Sequence, residues 1–133
     1  MPNYVSNLLF IKGSKEEVSK VLDLIKSEES DFDFNKVIPM PSELDVPSMP
    51  NPSEELEAIY QSNIEKYGYK DWYDWRIDKW GTKWNAEDVT VEMTEDGAKV
   101  WFKTAWEPPI PIYEALEDLI PDLDGGFFYA ECG

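Results

Sequence analysis

From Val89 to Thr104 the apolar residues recur at every second position on both sides of a turn, and this pattern constrains the fold more than any other. Val89, Val91 and Met93 alternate with polar residues, Glu95-Asp96-Gly97 supplies the reversal, and Val100, Phe102 and Thr104 alternate with Trp101, Lys103 and Ala105. A period of two predicts strands with one face buried, and the turn predicts a hairpin whose Gly97 accepts positive φ. A sheet with one apolar face needs a covering layer, and the flanking segments supply helices to form it.

Tyr4 to Ile11 reads as a strand that stops at Gly13. Ser14 and Glu17 form a capping box, and Val18, Val21, Leu22 and Ile25 then follow at helical spacing. Phe32, Phe34 and Val37-Ile38 predict a short second strand. Prolines 39, 41, 47, 50 and 52 make 39–52 an extended surface loop, because proline removes donors and disfavours helix before it. Ser53 caps a helix with Glu54, Glu55 and Glu57 in its first turn and Leu56, Ile59, Tyr60, Ile64 and Tyr67 as its apolar stripe. A second short helix runs from Asp71 through Trp72 and Trp75 to Trp80 and ends at Gly81. After the hairpin, Pro111 opens a helix in which Ile112, Leu116, Leu119 and Ile120 share a face, and Phe127 to Cys132 forms a last strand.

The expectation is one α+β domain over 1–133, with the proline-rich loop and a helical, Trp-rich insertion at 53–86 inside it. Without the insertion the order approaches βαββαβ, the split arrangement of a ferredoxin-like sheet with its helices on one face.

Twenty-eight acids against 12 bases give a net charge of −16. Such a chain repels nucleic acid and anionic membranes and attracts basic surfaces. No stretch approaches the roughly 20 apolar residues of a membrane span, and no basic region precedes an apolar run at the N-terminus, so a cytoplasmic protein is expected. With no His and one cysteine, Cys132, neither a structural zinc site nor an internal disulfide is expected. Asp122 and Asp124 before Gly125-Gly126 do not follow a calcium-loop pattern. The absence of His, of a nucleophile elbow and of a phosphate-cradling loop argues against an enzyme, and no cofactor or metal is expected.

Four segments carry a family likeness: Met1-Pro2-Asn3 with Asn7-Leu8-Leu9; the run from Phe32 to Pro41; Trp80-Gly81-Thr82-Lys83-Trp84-Asn85-Ala86; and Thr104-Ala105-Trp106-Glu107-Pro108-Pro109. Together they resemble the YubB-like family of phage and plasmid proteins. The resemblance implies a ferredoxin-like domain in a mobile-element setting and no agreed activity. It also implies, for many relatives, a segment beyond the last strand that this sequence, ending at Gly133, does not include.

Two surfaces compete for a functional role. Between Val37 and Glu65 there are six acids and no base, and from Thr104 onward seven acids and no base. Glu114, Glu117 and Asp118 lie three and four residues apart on a helix, with Asp122 following, so they form a compact anionic row. Such a row, with Glu54, Glu55 and Glu57, suits a DNA mimic that fills the groove of a basic nucleic-acid-handling protein. An anti-CRISPR or anti-restriction inhibitor acts in that way; a solvated surface that keeps the chain soluble is the plainer reading. The alternative site is the Trp-rich insertion, where Trp75, Trp80, Lys83, Trp84 and Asn85 combine rings, a cation and an amide suited to a nucleic acid or small ligand. Its plainer reading is packing of the insertion onto the sheet.

Overall fold

The computed structural model describes residues 3–131, and in it the hairpin forms one half of the sheet. Strands β1 (Tyr4–Lys12), β2 (Glu87–Thr94), β3 (Gly97–Ala105) and β4 (Gly126–Glu131) form one antiparallel sheet in the order β2-β3-β1-β4. The register sets Leu9 opposite Val100 and Tyr129, and Asn7 opposite Phe102. Leu9, Ile11, Ala98, Val100 and Phe102 therefore share one face, and all are buried.

Helices α1 (Lys15–Ile25) and α4 (Ile110–Leu119) cover that face with Val18, Val21 and Ile25 and with Ile112, Tyr113 and Leu116. The capping box is present: Ser14 Oγ accepts from the Glu17 amide and Glu17 Oε1 accepts from the Ser14 amide. On α4 the buried face is rotated from the expected one. Tyr113 turns inward to stack on Tyr129 at 4.2 Å, and Leu119, at the last helical residue, is left exposed.

Two further expectations are corrected here. The segment around Phe34 is not a strand but a short 3₁₀ turn, Phe34–Lys36. Asp33 caps it by accepting from the Asn35 amide, and Asn85 Oδ1 accepts from the Phe34 amide, so these donors need no neighbouring strand. Gly97 does not adopt positive φ. Its constraint is space: a Cβ there would stand 1.9 Å from the Ile11 carbonyl oxygen on β1.

The insertion contributes α2 (Glu54–Tyr67) and α3 (Trp72–Lys79). Tyr60 and Asn63 of α2 face inward, whereas Ile59 and Ile64 remain exposed. Asn63 donates to the Glu43 and Lys70 carbonyls, and the Tyr60 hydroxyl donates to Pro47 O while accepting from the Met49 amide. The proline-rich loop is thus pinned to α2 and sends Leu44 into the core. Trp75 and Trp80 bring α3 into that same core beside Phe34.

Candidate functional site

Glu54, Glu55 and Glu57 stand exposed in the first turn of α2, where Ser53 Oγ accepts from the Leu56 amide and the helix dipole favours anions. Glu114, Glu117 and Asp118 are exposed on the outer side of α4, with exposed Asp122 just beyond its end. None of these seven carboxylates takes part in an ion pair with a lysine or arginine among the described residues. The two sets lie on separate elements, the first on the insertion and the second on the helical layer of the sheet. Beside the second set, α1 and the end of α4 border a groove of about 290 Å³ lined by Leu24, Leu119, Ile120 and Pro121, with Glu17, Lys20 and Asp122 also lining it. Exposed Leu24 and Leu119 give this acidic surface apolar anchors.

The alternative residues divide. Trp80 is fully buried, and its Nε1 donates to Ile38 O at 2.9 Å. Trp75 packs edge-on against it. Asn85 donates to Asp33 Oδ1 at 2.8 Å and its Oδ1 accepts from the Phe34 and Ala86 amides. Burial acts to raise the Asp33 carboxyl, but hydrogen bonds from Asn85, the Asn35 backbone and Ser27 outweigh it, and the group sits below its ordinary range. These three residues are committed to packing and hydrogen bonds inside the protein.

Lys83 and Trp84 instead reach the surface. Lys83 Nζ lies 4.5 Å from the Trp84 ring centroid and 4.9 Å from that of Trp106, between two rings of two segments. Trp106 is 61% exposed and has φ of +69°, a conformation that costs a bulky residue energy. Beneath them the Arg76 guanidinium lies against Trp72 and Trp80, at 5.1 and 4.9 Å. Burial lowers its pKa, against a smaller opposing pull from the Asp45 carboxylate. A hollow of about 130 Å³ beside this cluster is lined by Tyr73, Ile77, Thr82, Lys83, Trp106 and Glu107. Trp106, Tyr73 and Glu107 were not among the expected site residues. The signal for Trp106 was its place between the end of a strand and two prolines.

The four segments singled out in the sequence are bonded to one another. Asn7 Nδ2 donates to Thr104 Oγ1, and the Trp106 amide donates to Asn3 O. Thr82 Oγ1 donates to Ala105 O, and Asn85 joins Asp33 and Phe34. They build the joint between insertion and sheet, with Lys83, Trp84 and Trp106 as its outer surface.

Among the described residues no group of three His, Cys, Asp or Glu is placed to hold a metal ion, and no helix is long and apolar enough to cross a membrane. Cys132 lies outside the described residues. No protein-family model, curated protein or solved structure matches this chain.

Proposed function

We propose that this protein is a binding module without catalytic activity, and that the acidic surface of α4 occupies a basic groove on a nucleic-acid-handling protein. The observation that carries this reading is the row Glu114, Glu117 and Asp118, exposed, without a basic partner and flanked by the apolar groove at Leu24 and Leu119. A protein interface pairs a small apolar centre with a polar rim, and here the rim carries Glu17 and Asp122 against one cation, Lys20. Duplex DNA presents about one charge per 1.7 Å of axis, so a groove built for it accepts closely spaced carboxylates. The setting proposed is a mobile element, with the protein related to the YubB-like family and acting in the host cytoplasm as an anti-defence inhibitor. The sheet order β2-β3-β1-β4, with both crossover helices on one face, supports a ferredoxin-like arrangement.

A second reading is favoured by the Lys83–Trp84–Trp106 cluster, whose exposed Trp106 ring and half-buried Lys83 and Trp84 suit a stacked base or an aromatic ligand.

The test is capture of partners from host lysate on the immobilised protein at low salt, followed by elution with duplex DNA. Retained nucleic-acid-binding proteins released by DNA are the expected result. Retention that DNA does not relieve, or no retention, contradicts mimicry.

A further inference from the structure

The face of the sheet opposite the helices is uncovered among the described residues. Tyr4, Leu8 and Phe10 of β1, Trp101 of β3 and Phe128 of β4 point to it, with Leu8 opposite Trp101 and Phe10 opposite Phe128. Phe128 is 52% exposed and Trp101 37%, and none of these side chains belongs to the core on the other face. Continuous apolar surface of this kind on a soluble chain marks a contact site.

Charge decides what covers it. Lys12, Lys99 and Lys103 stand on this face with Glu92, while Glu87, Asp88 and Asp96 edge it along β2 and the hairpin turn. Lys12 reaches Asp96 at 3.6 Å and Lys103 reaches Asp88 at 3.5 Å. The face is therefore close to neutral, and nearly all of the net charge of −16 lies elsewhere. A polyanionic strand gains no excess of cations here and meets the repulsion of the whole molecule. A second copy can approach on this side while both sets of acidic helices point away from each other. Lys12 and Lys99 lie 5.6 to 6.0 Å from the Phe10 and Phe128 rings, so their stems add to the apolar area.

The area suits a weak dimer. Four strands about 4.8 Å apart and roughly seven residues long, at about 3.4 Å per residue, give a face of roughly 450 Å². Two such faces together bury about 900 Å², the size of a weak, transient interface and short of the roughly 1,200 Å² of a standard one.

We infer that the protein forms a two-fold dimer by packing the Leu8–Phe10–Trp101–Phe128 face of one copy against that of another. The interface leaves the α4 surface free, so the dimer presents two acidic surfaces on opposite sides.

Sedimentation equilibrium across micromolar to millimolar protein tests this, at about 0.02 and 0.5 M salt, where the screening length falls from more than 20 Å to about 4 Å. A dimer that tightens with salt is expected, because salt screens the acidic helices and leaves apolar contact intact. Phe128→Asp and, separately, Trp101→Lys should weaken dimerisation at least about tenfold, while Met49→Ala, in the proline-rich loop, leaves it unchanged. Far-ultraviolet circular dichroism reports that each variant is folded. A monomer at all concentrations overturns the inference, as does a dimer indifferent to both face variants. A monomer that binds a single-stranded oligonucleotide and loses it in Phe128→Asp also overturns it, assigning the face to nucleic acid.

Discussion

Asn85 shows how one side chain joins distant segments. Its amide donates to Asp33 and its oxygen accepts from the Phe34 and Ala86 amides, which ties the end of the insertion to the turn before it. Asn85→Ala leaves the Phe34 donor without its partner, and a loss of about 1–3 kcal/mol in urea unfolding is expected. The pH dependence has a definite sign. Asp33 is held below its ordinary pKa, so its contribution is present above the unfolded value of about 3.9 and fades as pH falls through the folded one. The gap between wild type and Asn85→Ala should therefore be widest above pH 4 and narrow in more acid solution. A gap that does not change with pH would mean that the Asp33–Asn85 bond is not what Asn85 contributes.

At the scale of elements, the strands, capped helices and hairpin were legible because each rests on a local signal: a period of two, a capping box or a turn. The Phe34 segment was misread because two aromatics two apart mimic a strand, while the partner that replaces the ladder, Asn85, lies 51 residues away. Gly97 was legible as a turn residue and not as a contact, since the Ile11 carbonyl that crowds it belongs to another strand. The acidic row on α4 could be read from spacing alone. The meeting of Lys83 with Trp106 could not, because it depends on how the insertion closes onto the end of β3. Phe102, central in the β3 core face and edge-on to Phe34, which packs on Trp80 of the insertion, tests whether sheet and insertion form one unit. Phe102→Ala should cost about 3–5 kcal/mol and lower a single melting transition. Gly97→Ala should also destabilise, by forcing β1 and β3 apart at the turn, and two separate transitions in either variant would speak against one cooperative core.

For the molecule as a whole, charge is segregated. One sheet face is nearly neutral and rich in rings, whereas the α4 surface carries carboxylates without a basic partner. Carboxylates that fill a groove act through steering and through contacts that salt screens, and they add little to folding because exposed like charges contribute little. The combined replacement Glu114→Gln, Glu117→Gln and Asp118→Asn keeps shape and removes three charges. The most direct measurement of the central claim is the affinity of wild type and this triple variant for the captured DNA-binding partner, at low and moderate salt. The account predicts unchanged melting temperatures, at least about tenfold weaker binding by the variant at low salt, and a difference that shrinks as salt rises. Equal affinities at both salt concentrations would contradict it and leave the acidic surface as a solvated one.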